Sequence, residues 1–99
     1  MPGLPAEALG GRTWTEVAAL DPRPLLLVPL GSLEQHGPHL PLDTDTRIAV
    51  ALAEAAATAR PSLAVAPALP YGASGEHASF PGTVSIGHEA LEQVVVEVV

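Results

Sequence analysis

An apolar run of strand length, L-L-L-V-P-L at residues 25–30, leads into a segment dense in Glu, His and Asp, and that segment leads into a helical period. Continuous apolar runs of this length suit a strand buried on both faces, as in a parallel sheet. Pro29 has no N–H to give a ladder, so the end of the run must leave the sheet. From residue 46 to 60, Ile48, Ala51, Leu52, Ala55 and Ala59 fall on one helical face, while Arg47, Glu54 and Thr58 line another. Thr44 or Asp45 stands where an N-cap belongs, and Pro61 stops the helix. The pattern then repeats. A short strand at 63–66 is followed by a Gly- and Pro-punctuated loop, an extended stretch at 83–86 and a helix at 88–99 carrying Leu91, Val94, Val95 and Val98 on one face.

Strand, loop, helix, strand, loop, helix is the grammar of a βαβ unit and predicts an α/β fold with a mostly parallel sheet. Upstream, Thr13 and Glu16 have the spacing of a capping box and open a short helix over 13–20. Residues 1–12 read as a loose arm. In α/β folds ligands bind beyond the carboxyl ends of the strands. Loops 31–45 and 70–82 both follow strands, so they are expected to meet at one end of the sheet and bring Glu34, His36, Asp45 and Glu76 together.

Composition narrows the partners. With 47% apolar and 15% charged residues the chain is not disordered. Eleven acidic residues against four arginines give a net charge of −7, which repels phosphate backbones and argues against nucleic acid. No apolar run approaches a membrane span, no secretory signal is visible, and there is no cysteine, so a cytoplasmic protein is expected. So little charge around so much apolar surface predicts that part of that surface lies against another subunit or further chain. The helical period is still running at Val99, and these residues read as the N-terminal part of a longer domain.

In an extended stretch, side chains at i and i+2 point the same way, so Glu34 and His36 can reach one point. Carboxylate and imidazole are the ligands of catalytic zinc, manganese and iron sites, and Asp45 would complete the set once the loop turns back. The alternative readings are a surface Glu-x-His pair and an Asp45 that only caps the helix. His39 and Asp43 read as solvated loop residues, and His88 and Glu89 as helix-start residues. In the second loop, Ser74, Glu76 and His77 either orient a substrate or hydrogen-bond the loop to itself.

The runs V-P-L-G-S-L-E-Q-H-G-P-H-L-P-L-D-T-D-T (28–46) and Y-G-A-S-G-E-H-A-S-F-P-G-T-V-S-I-G (71–87) together resemble the signature of the creatininase family. The D-T-D-T-R-I-A and G-A-S-G-E-H wording is most similar to the mycofactocin-system branch, whose members resemble peptidases releasing the modified C-terminal dipeptide of a ribosomally made precursor peptide. The resemblance implies a three-layer α/β/α domain, a homo-oligomer (often a hexamer) and two divalent metal ions, zinc with manganese or iron as alternatives. It further implies Glu34 on one ion, His36 on the other, Asp45 bridging them, and an activated water as nucleophile, so no side chain is assigned to attack. Ser74, Glu76 and His77 would line the substrate side. A later N-G-H motif of the family, which supplies further ligands, has no counterpart here, so residues 1–99 alone are expected to hydrolyse nothing. Two other functions fit the chain: hydrolysis of a small cyclic amide or formamide, and a non-catalytic oligomerisation piece.

Overall fold

The computed structural model describes residues 8–99; the part of the expected N-terminal arm at residues 1–7 lies outside the described residues. Its elements are helix α1 (Trp14–Ala18), strand β1 (Leu25–Leu27), helix α2 (Thr44–Ala59), strand β2 (Leu63–Val65) and helix α3 (Gly87–Val98). β1 and β2 pair in parallel, Leu25 beside Leu63 and Leu27 beside Val65, with α2 as the crossover. The expected βαβ unit is therefore present. No described helix is long and apolar enough to cross a membrane.

Local chemistry sets the boundaries. Thr13 Oγ1 accepts from the Glu16 N–H at 3.2 Å, and Glu16 Oε1 accepts from the Thr13 N–H at 3.0 Å, which is the capping box at the start of α1. β1 stops at Leu27, ahead of Pro29, as the missing N–H requires. The Pro29 carbonyl still accepts from the Leu69 N–H at 2.9 Å, and Gly31 donates to the Leu69 carbonyl at 2.8 Å, so the pairing continues loosely past the strand ends.

Three expectations are corrected. Residues 8–12 are not a loose arm: Ala8 bridges Val65 and Leu9–Gly11 form a 3₁₀ turn, because a free sheet edge pairs with passing backbone. β1 is not buried on both faces, since Leu25 is 68% exposed and only β2 pairs with it among the described residues. The packed side of α2 is not the Ile48–Leu52 face, which is open to solvent. It is the side of Ala49, Val50, Ala53, Ala56 and Ala57, with Ala57 buried against a core that includes Ala64 and Val65 of β2. The helix is apolar on nearly every side, so periodicity cannot select a face, and small side chains let the helix axis approach the sheet most closely.

α2 begins at Thr44, earlier than expected, and Asp43 is the residue before its first turn. Asp43 Oδ1 is taken by Arg47 Nε at 2.8 Å. Asp45 therefore lies inside the first turn and does not cap it. The loop from β1 reaches this turn through a close approach: a β-carbon on Gly31 would lie 2.6 Å from Thr46 Cα. Thr46 Oγ1 accepts from the Ser32 N–H and donates to the Ser32 carbonyl, both at 3.2 Å.

Gly31→Ala is expected to lower the unfolding free energy by about 1–3 kcal/mol, the usual cost of overpacking. Gly75→Ala, where a new β-carbon meets nothing within 4 Å, is expected to stay within about 0.5 kcal/mol of wild type. Denaturant titration of both variants checks this.

Candidate metal centre

Both loops open beyond the carboxyl ends of the parallel strands, and they touch. Leu33 bridges Val84, and Gln35 of the first loop hydrogen-bonds His77 of the second. The first loop reverses sharply, with Gly37 at φ +72° in the turn and His36 bridging Leu40. Positive φ strains any residue with a β-carbon, so glycine suits this turn. The reversal returns the chain to α2, where Asp45 faces the loop it followed.

The result is a cluster in which ligand atoms of Glu34, His36 and Asp45 all lie within 4.8 Å of one another. Glu34 is 15% exposed on its side chain, His36 23% and Asp45 40%. Asp45 is held from two sides: Ser32 Oγ donates to Oδ2 at 2.7 Å, and His36 Nε2 lies 3.1 Å from Oδ1. On the other side of the imidazole, His36 Nδ1–H donates to the Glu34 carbonyl at 3.2 Å. With the proton on Nδ1, Nε2 carries a lone pair toward a carboxylate oxygen. Two acceptors at that distance repel unless a proton or a cation lies between them. The donor set, one imidazole nitrogen and two carboxylates, fits a divalent transition metal. Orientation of the ligating ring by a backbone carbonyl is the usual support in such sites.

Electrostatics report the same demand. The Ser32 hydroxyl lowers the Asp45 carboxyl against the opposing effect of burial, and Glu34 and the imidazole add to that lowering. The Glu34 carbonyl raises the His36 imidazole, and Asp45 adds to it, again against burial.

A second group, Glu34, Glu76 and His77, also brings ligand atoms within 4.8 Å. Glu76 and His77 stand in a 3₁₀ turn, Gly75–His77, with Glu76 70% exposed at the rim. Glu34 belongs to both groups. The remaining sequence candidates stand apart: His39 is exposed, Asp43 is bound to Arg47, and His88 is exposed in the first turn of α3. Ser74, expected on the substrate side, has no accessible surface here, and its hydroxyl has no hydrogen-bond partner among the described residues. Sequence reasoning missed Ser32 and Gln35. The alternation that groups Glu34 with His36 also places Ser32 on the same side, and that signal was available.

An α/β domain with a carboxylate–imidazole cluster at the carboxyl ends of parallel strands defines a candidate metal-binding α/β protein. The family described as "Creatininase: Creatinine amidohydrolase" matches residues 11–99, and the chain belongs to the creatininase family. It is 62% identical over 79 residues to the mycofactocin precursor peptide peptidase of Mycolicibacterium smegmatis, covering 75% of this chain and 32% of that protein. It is 34% identical over 100 residues to the creatinine amidohydrolase of Pseudomonas putida, covering 92% and 37%. The chain thus spans about a third of the length of these relatives. Among solved structures, a mutant creatininase of Zn-Zn type matches with a TM-score of 0.81 at 34% identity, covering 96% of this chain and 39% of that one. A structure titled "Creatininase Mn" matches with a TM-score of 0.80 at 34% identity, covering 95% and 39%. These matches, with the helices and parallel strand pair described above, bear out the creatininase-like α/β fold expected from the sequence.

The two perturbed groups give a pH prediction. The lowered Asp45 value stabilises the fold above the ordinary 3.8, and this is lost as pH falls through the lowered value. The raised His36 value stabilises the fold below the ordinary 6.5, and this is lost as pH rises through the raised value. Without divalent cations, the Tm difference between wild type and His36→Gln is expected to be largest near about pH 5 and to shrink in alkaline buffer. A difference that grows with rising pH would contradict the pairing.

Proposed function

We propose that the protein is a metal-dependent hydrolase of amide C–N bonds, and within that class a peptidase that releases the modified C-terminal dipeptide of a mycofactocin precursor peptide. The observation that carries the hydrolase reading is the convergence of Glu34, His36 and Asp45, with His36 Nε2 turned to Asp45. The peptidase reading is supported by 62% identity to the M. smegmatis peptidase against 34% to the P. putida creatinine amidohydrolase. In this reading residues 1–99 form the N-terminal part of a single creatininase-like domain; the chain covers 32% of the M. smegmatis relative.

Glu34, His36 and Asp45 are the residues that would hold divalent cations, two of them in this reading, with Asp45 common to both. Zinc is favoured, and manganese or iron are alternatives; the Zn-Zn and Mn forms of related creatininases support this choice. Such ions polarise an amide carbonyl and make water more acidic. The chain's own residues do the rest. Ser32 fixes one oxygen of Asp45 and leaves the other toward His36. The Glu34 carbonyl accepts from Nδ1–H and so turns Nε2 toward Asp45, where a cation would take the place of a proton. Glu76, mostly exposed beside the cluster, is positioned to meet the peptide, and His77 borders the same space.

Cleavage of the modified precursor peptide by the intact protein tests this reading. Glu34→Ala and His36→Ala are expected to abolish release of the dipeptide. Ser32→Ala is expected to weaken metal affinity about 10- to 100-fold, the usual effect of losing a group that orients a ligand. Chelation should remove activity, and zinc, manganese or iron should restore it. Full activity in excess chelator would overturn the reading, and hydrolysis of creatinine or formamides in place of the peptide would reassign the substrate.

A further inference from the structure

Glu34, Glu76 and His77 have the composition and spacing of a cation site, yet the hydrogen bonds around His77 point elsewhere. The Gly37 N–H donates to Gln35 Oε1 at 2.9 Å, which pins the side-chain amide. Its other end, Nε2, can only donate, and it lies 3.0 Å from His77 Nδ1. A neutral imidazole that accepts at Nδ1 carries its proton on Nε2. Nε2 is the atom that faces the carboxylates, 4.0 Å from Glu34 Oε2 and 3.8 Å from Glu76 Oε1. A metal ion needs the lone pair that this proton occupies.

We infer that Gln35 is a positioning residue that holds His77 as an Nε2–H donor, so that the space between Glu34, Glu76 and His77 receives a hydrogen-bond acceptor and not a metal ion. His36 has the opposite arrangement, its Nδ1–H given to the Glu34 carbonyl and its Nε2 turned to Asp45 Oδ1 at 3.1 Å. The two histidines on either side of Glu34 thus differ in which ring nitrogen is tied back to the loop. The 4.0 and 3.8 Å separations exceed hydrogen-bonding distance, so the His77 N–H is not spent on either carboxylate. A neutral acceptor suits a pocket with two carboxylates, and the carbonyl oxygen of a peptide is such a group. Only this naming of the acceptor rests on the proposed function.

The test is the tautomer itself, read by long-range ¹H–¹⁵N correlation on the intact protein labelled with ¹⁵N-histidine, without metal or substrate and above the pH range of imidazole protonation. His77 is expected to carry its proton on Nε2. Zinc alone, added in steps, is expected to move the His36 signals and leave those of His77 in place. In Gln35→Glu a carboxylate replaces the amide donor and accepts from His77 Nδ1, so the tautomer is expected to invert and the His77 signals to respond to zinc. A wild-type His77 protonated on Nδ1, or equally on both nitrogens, or binding zinc through Nε2, would overturn the inference. The wild-type measurement decides even if the variant misfolds. It involves no catalysis, so absence of peptidase activity would leave this inference standing while removing the proposed function.

Discussion

The backbone of Gly31 and Ser32 lies against Thr46 so closely that no β-carbon fits at Gly31, and the Thr46 hydroxyl serves the N–H and the carbonyl of Ser32 together. This contact joins the exit of β1 to the first turn of α2, across a loop that travels outward through Gly37 and back. Without it, Glu34 and His36 would belong to one flexible segment and Asp45 to a helix with no fixed relation to it. With it, the Ser32 hydroxyl is placed on Asp45 Oδ2 and the His36 ring on Oδ1. The metal-ligand candidates are thus consequences of a backbone approach that depends on the absence of one side chain.

Much of the architecture was legible because its signals are local and strong. The apolar run ending in Pro29, the Thr13–Glu16 box and the period of the last helix each name an element without tertiary information, and the β-α-β order follows from them. What could not be read depends on packing. α2 is apolar nearly all round, so the choice of Ala53 and Ala57 over Ile48 and Leu52 as the packed face is made by closeness of fit and not by polarity. The exposure of Leu25 reflects which strands stand beside β1, which no residue of β1 records.

The site was legible to a similar depth. Type and spacing made Glu34, His36 and Asp45 candidates beside a surface-pair reading, the family resemblance singled them out, and the structure brings their ligand atoms within 4.8 Å of one another. The burial of Ser74 was not legible, because hydroxyl residues in glycine-rich loops serve as binding groups or as interior packing and the sequence looks the same for both. Gln35 was passed over because its partners lie two residues ahead at the Gly37 backbone and in a different loop at His77, pairings that residue type alone does not signal.

The small-residue face of α2 has a mechanical consequence. Ala57, where the helix is buried, and Asp45, in its first turn, are separated by about 18 Å of helix axis at 1.5 Å per residue. A helix is stiff over that length, so it behaves as a lever with its pivot at the alanines and its working end at the carboxylate. A small tilt at the pivot swings the far end in proportion to the arm, while sliding along the axis arrives undiminished. Enlarging a side chain at Ala53 or Ala57 would therefore be felt in the angle at which Asp45 meets His36, far from where the extra atoms sit. The alanines act as a gauge for the site, setting its geometry from the opposite end of the helix.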